Sequence, residues 1–155
     1  MKKIFALFII SLCVITALVS CGEKNDVVID INELASAFDA VYDGTDIELV
    51  DIEGEAIDIH YGIKDHYSSA RVKASVAITS DEYVILECVD EERARKVYDV
   101  LSDYRTERIK LFSSYASEQV PKLENALLKR AGEYVVFVVA DNYDMVNDIW
   151  KGCVK

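Results

Sequence analysis

The chain has 155 residues, with 28 Asp and Glu against 17 Lys and Arg, and its net charge is −11. Apolar residues make up 52%, which suits one globular domain of ordinary size and not a disordered chain. The charge argues against a nucleic-acid binder, because phosphate is repelled and no Lys/Arg cluster stands out.

Residues 1–20 read as an address. Met1-Lys2-Lys3 is basic, Ile4 to Ser20 carries no charge, and fifteen of the twenty residues are apolar, the plan of a secretory signal. Leu18-Val19-Ser20-Cys21-Gly22 resembles the bacterial lipoprotein box, with Leu three before a Cys and a small residue directly before it. That resemblance implies a diacylglyceryl group on the Cys21 thiol and cleavage just before it. Two other readings are an uncleaved anchor, for which seventeen uncharged residues are short, and an ordinary signal with an incidental Cys. Cleavage removes two Lys and no acid, leaving 135 residues and a net charge of −13. So acidic a body is repelled by an anionic membrane face, so the acyl chains would have to supply attachment. The expected organisation is signal 1–20, lipidated Cys21 with a tether to residue 28, and one domain over 29–155.

In the mature chain, Asp30-Ile31-Asn32-Glu33 is a capping-box pattern. Ile31, Leu34, Phe38 and Val41 then predict an amphipathic helix, stopped at Asp43-Gly44. Residues 47–62 are ambiguous: Ile57, Ile59 and Tyr61 alternate like a strand, yet Glu53 to Tyr61 also reads as a short helix ended by Gly62, and the helix is preferred. Arg71–Thr79 alternates, which predicts a strand with Val72, Ala74, Val76 and Ile78 inward. Ser80-Asp81 turns the chain into a strand over Tyr83–Val89. Asp90 caps a long helix expected to run to Val120, since Pro121 disfavours helix before it. Ala126–Lys129 and Tyr134–Ala140 form a second hairpin, and Asp141 is expected to cap a last helix carrying Met145, Ile149 and Trp150.

Residues 82–90 resemble residues 133–141 at an offset of 51. The order is thus ββα-ββα. The fold expected is α+β, a four-stranded antiparallel sheet with the two helices on one face. Tyr134–Ala140 is apolar throughout, so a second cover is needed, and the N-terminal helix can supply it.

From Asp30 onward the chain resembles a bacterial lipoprotein family known as domain of unknown function 4358. The matching pieces are Tyr61-Gly62-Ile63, Val120-Pro121-Lys122-Leu123-Glu124-Asn125-Ala126 and Tyr134-Val135-Val136-Phe137-Val138-Val139-Ala140-Asp141. The resemblance implies an exported, lipid-anchored protein of Gram-positive bacteria and no defined activity or catalytic residues.

Candidate sites are sparse. His60, Asp65 and His66 offer ligand chemistry but not a recognised metal spacing. Asp39, Asp43, Asp46, Glu48, Asp51, Glu53 and Glu55 are oxygen-rich, but they lack the twelve-residue calcium-loop pattern. They read first as a solvated face. Ser68, Ser69, Ser113, Ser114 and Ser117 have no activating base nearby and no Gly-x-Ser-x-Gly context. Neither a metal nor a cofactor is implied. Cys88 and Cys153 can pair after export or remain separate thiols.

The long helix is the most informative surface. Thirty residues reach about 45 Å at 1.5 Å each, against about 23 Å for a seven-residue strand. Its distal half overhangs the sheet if the helix stays straight, and then needs cover from the N-terminal helix, a bend or another protein. Tyr104, Leu111, Phe112 and Tyr115, with Arg108 and Arg105 at their edge, are therefore either packed within the chain or an interaction surface. The reading preferred overall is a membrane-anchored, extracytoplasmic, non-catalytic module that binds an envelope protein or a small ligand. The alternative is an envelope hydrolase working through two of its many acids.

Overall fold

A computed structural model of the chain describes residues 27–154. The signal, Cys21 and most of the tether lie outside the described residues. Among those described, no helix is long and apolar enough to cross a membrane.

Helix α1 spans Ile31–Asp39. The Asp30 carboxylate caps it, accepting from Asn32 N–H at 2.8 Å and Glu33 N–H at 3.1 Å, which satisfies two donors that a helix start leaves open. Within residues 47–62 the helix reading holds for Ile57, Ile59 and Tyr61, and a short strand that no pattern announced comes before it. A three-residue strand, β1 (Leu49–Asp51), precedes helix α2 (Glu55–Tyr61). Gly62 closes α2 at φ 70° and donates to Asp58 C=O, a left-handed position that suits glycine.

Strand β2 spans Tyr67–Ser75 and β3 spans Glu82–Cys88. The first hairpin is therefore present, but β2 lies four residues earlier than its alternation suggests. Val76 and Ile78, expected inward, are 70% and 75% exposed in the connection. Helix α3 spans Glu91–Tyr115, capped by Asp90. It stops short of Val120 because Ala116 leaves the helical region at φ −150°, ψ 62°. A 3₁₀ turn, Ser117–Gln119, leads into helix α4, Val120–Glu124. Pro121 thus opens a helix and does not terminate one, since the first turn does not need its N–H. Strands β4 (Leu127–Ala131) and β5 (Tyr134–Val139) form the second hairpin. Helix α5 spans Tyr143–Cys153 and is capped by Asn142, not Asp141.

The sheet has five strands, not four, in the order β1-β2-β3-β5-β4, all antiparallel. The two helices that follow hairpins do not share a face. Helices α2, α3 and α4 pack on one side, against Val84, Leu86, Val135 and Phe137. Helices α1 and α5 cover the other, against Tyr83, Ile85, Val136 and Val138. Central strands β3 and β5 are buried on both faces and so read as nearly unbroken apolar runs. In α5 it is Val146 and Trp150 that are buried, while Met145 faces solvent.

The sheet has two distinct ends. At one, β3 and β5 pair through Glu82 and Val139, and Tyr42 Oη donates to Val139 C=O at 2.8 Å. At the other lies the β4–β5 turn, where Val27, the first described residue, packs beside Gly132.

Candidate functional site

Three consecutive polar residues are buried at the Glu82 end of the sheet: Ser80, Asp81 and Glu82, each 2% exposed or less. A buried polar group needs a partner, and each has found one on the segment that follows α3's midpoint. Ser80 N–H and Oγ both reach Gln119 Oε1, at 3.1 and 3.2 Å. The Asp81 carboxylate meets Lys122 Nζ at 2.9 Å, and Lys122 also reaches the exposed Asp141 at 3.0 Å. Burial works against the Lys122 charge, but the two carboxylates outweigh it and leave the ammonium harder to deprotonate than usual.

Glu82 is the first residue of β3 and belongs to the row that faces α3. Its Oε2 accepts from Tyr61 Oη at 2.8 Å and Tyr104 Oη at 3.0 Å. Its Oε1 lies 3.5 Å from the Arg108 guanidinium. Burial raises the carboxyl pKa above the ordinary range, while Arg108 and then the two hydroxyls pull it back. Tyr104 has one proton and gives it to Glu82, so it accepts at 3.0 Å from His60 Nε2, which assigns the His60 proton to that nitrogen. Partial burial, and then the Arg108 charge, hold the His60 imidazole towards its neutral form.

Helix α3 presents Tyr104, Arg108, Phe112 and Tyr115 within reach of one another. The spacing of 4-4-3 puts them on a single stripe. Arg108 lies over Phe112 at 4.8 Å and Tyr104 at 5.7 Å from the ring centroids. Between this stripe and the β2–β3 connection is a cavity of about 380 Å³, whose lining includes Thr79, Glu82, Arg108 and Tyr115. Arg108 Nε and Thr79 Oγ1 are buried without a hydrogen-bond partner. A second depression of about 560 Å³ lies against β1 and β2. Its charged residues Asp51, Glu53 and Arg71 are all exposed, so it has no comparable desolvated chemistry.

The helix surface singled out from sequence is divided by this geometry. Tyr104 and Phe112 pack within the chain, with Phe112 2% exposed. Arg108 and Tyr115 line the cavity with them. Leu111 is exposed and off the cavity. Sequence reasoning does not single out Glu82, Tyr61 or Thr79.

The remaining candidates are not assembled. His60 joins Tyr104, whereas His66 lies apart, its Nδ1 buried and unpartnered. Asp39 leaves the acidic stretch to bind Lys73 and Tyr83. Among the described residues no three His, Cys, Asp or Glu side chains are grouped to hold a metal ion. Ser68, Ser113 and Ser114 donate to backbone carbonyls. Cys88 and Cys153 are free thiols packed in opposite layers of the fold.

The fold and cavity define a three-layer α+β domain with a polar cleft at one end of its sheet. The sequence model of a family described as a domain of unknown function (DUF4358) matches residues 42–140, and the chain belongs to that family. The match spans β1 to the end of β5 and contains every cleft residue named above. No curated protein and no solved structure matches the chain.

Proposed function

We propose that this protein is a lipid-anchored extracytoplasmic module that holds a small ligand in the cleft between α3 and the β2–β3 connection. The observation that carries the binding reading is a fully buried carboxylate, Glu82, tied to two tyrosines and an arginine beside an open cavity. Pockets of this kind, partly apolar with a few convergent polar groups, are the usual form of a small-molecule site. The anchor rests on the lipobox at Leu18–Cys21 and the uncharged run before it.

Binding is favoured over hydrolysis by how the acids are used. Carboxylate-pair chemistry needs two acids converging on one bond. Asp81 and Glu82 are adjacent, but they point to separate partners, Lys122 and the tyrosine–arginine group.

Two measurements test this reading. Mass spectrometry of the protein from producing cells is expected to find Cys21 at the N-terminus with a diacylglyceryl group; an unmodified N-terminal thiol overturns the anchor. Ligand-observed NMR of the full chain with cellobiose, N,N′-diacetylchitobiose, acetate, tetramethylammonium and triglycine is expected to show at least one saturable binder that Tyr115→Ala weakens. No probe sensitive to Tyr115→Ala would overturn the cleft.

A further inference from the structure

Assuming that the cleft is a binding site, we infer that its ligand is an uncharged, hydroxyl-bearing ring of the saccharide class, seated against Tyr115 and hydrogen-bonded by Arg108 and Thr79. The argument begins with charge. Around the cavity Arg108 and Lys122 are answered by Glu82, Asp81 and Asp141, and the whole chain is strongly acidic. An anion gains no net attraction there and is repelled at longer range. A cation would normally use the aromatic faces. Here Arg108 already lies over Phe112 and Tyr104, and its charge beside the remaining aromatic of the stripe, Tyr115, would repel a cation there.

Hydrogen-bonding capacity then narrows the neutral ligands. Arg108 Nε can only donate, while Thr79 Oγ1 can donate and accept. Both are buried and unsatisfied, which is unfavourable when nothing answers them. A hydroxyl both gives and takes, so a polyhydroxylated ring can satisfy the two after small side-chain adjustments. An extended peptide recognised through its backbone would need a free strand edge. The strands beside the cavity have none: Ala74 of β2 pairs with Val50 on one side and Glu82 on the other, and Glu82 pairs onward with Val139.

The walls suit the apolar face of such a ring. Tyr115 is 54% exposed and tilted 37° against Phe112 at 5.1 Å, and Ile78, 75% exposed, also lines the cavity. An aromatic ring that keeps its face open while its neighbour is buried offers a platform for C–H groups. Neither exposed side chain is needed to fill the core.

The test uses the full chain and the same five probes. Saturable binding of cellobiose or diacetylchitobiose, weakened about tenfold by Tyr115→Ala and also by Thr79→Val, is the expected result. Thermal melts of both variants are expected to match the parent, which separates lost contact from lost fold. Binding of acetate, tetramethylammonium or triglycine with Tyr115 sensitivity, and none of either saccharide, overturns the saccharide class and leaves the cleft standing. Absence of any Tyr115-sensitive probe overturns both.

Discussion

Glu82, 1% exposed at the start of β3, sits 3.5 Å from Arg108 on α3, its nearest cation among the described residues. Removing the arginine strands a buried charge. Arg108→Met is therefore expected to destabilise the fold by about 3 kcal/mol near neutral pH, measured by urea unfolding. The loss should vary with pH. Burial sets the folded Glu82 pKa above its unfolded value, so the folded state holds that proton more tightly. Its contribution is fully present below the unfolded value and is lost as pH rises through the folded one. Without Arg108 the folded value rises further. The variant's deficit should thus be small in mild acid and grow towards neutrality. A deficit independent of pH would contradict this arrangement. Adding Glu82→Gln should recover part of it, read as a double-mutant cycle.

Tyr61 and Tyr104 each donate to Glu82 Oε2. Tyr61→Phe and Tyr104→Phe should each cost about 1.5–3 kcal/mol, the range for hydrogen bonds to a charged group. Only Tyr104→Phe should also free His60. The NMR titration of that imidazole is expected to move in the Tyr104 variant and stay put in the Tyr61 variant.

The Lys122–Asp81 pair is the second buried charge pair at this end, and Lys122 ties α4 to the β2–β3 connection. Lys122→Met should cost about 3–5 kcal/mol in chemical denaturation. Asp141 is the exposed arm of the same network, and Asp141→Asn should leave the midpoint nearly unchanged.

Burial pushes the Cys88 thiol up to about 12. At pH 8 a maleimide should label Cys153 in the native protein and reach Cys88 only after unfolding. Peptide mapping by mass spectrometry reads both. Native labelling of Cys88 would mean that the α3 layer opens readily.

Much of the fold was legible from residues 29–42, 82–101 and 126–150, where caps and apolar periods agree. The failures have local causes. Val76 and Ile78 continue the alternation of β2, but pairing of β2 ends at Ser75, so the pattern extends past the hydrogen bonds that would make it a strand. Val76→Ser and Ile78→Ser should consequently change stability by less than about 0.5 kcal/mol, a result that an inward position would not give. Pro121 reads as a stop because it lacks an N–H and disfavours helix before it, yet its fixed φ suits a first turn. β1 was missed because three residues carry too little pattern. The two-sided sheet was half visible: β5's apolar run demanded covers on both faces, but nothing in the sequence assigned α3 and α5 to opposite sides.

The cleft was half visible too. The spacing along the helix marks Tyr104, Arg108, Leu111 and Tyr115, but the cavity takes Phe112 in place of Leu111. The wall opposite the helix is not marked, because Glu82 looks like the polar end of a strand and Tyr61 like part of a short helix. Their meeting depends on β3 and α2 being brought beneath α3, which is tertiary information. A sequence clue existed: a carboxylate opening a strand that is apolar on both faces has nowhere to go but inward.

The first described residue lies beside the β4–β5 turn, and the cleft lies at the opposite end of the strands. From Cys21 to Val27 the chain extends about 20 Å at most. On the proposed anchoring at Cys21, the β4–β5 turn can lie no more than about 20 Å from the acyl chains, and the cleft lies at the far end of the strands from that turn. A ligand at Arg108 and Tyr115 would then meet the protein at the end of the sheet farthest from its point of attachment.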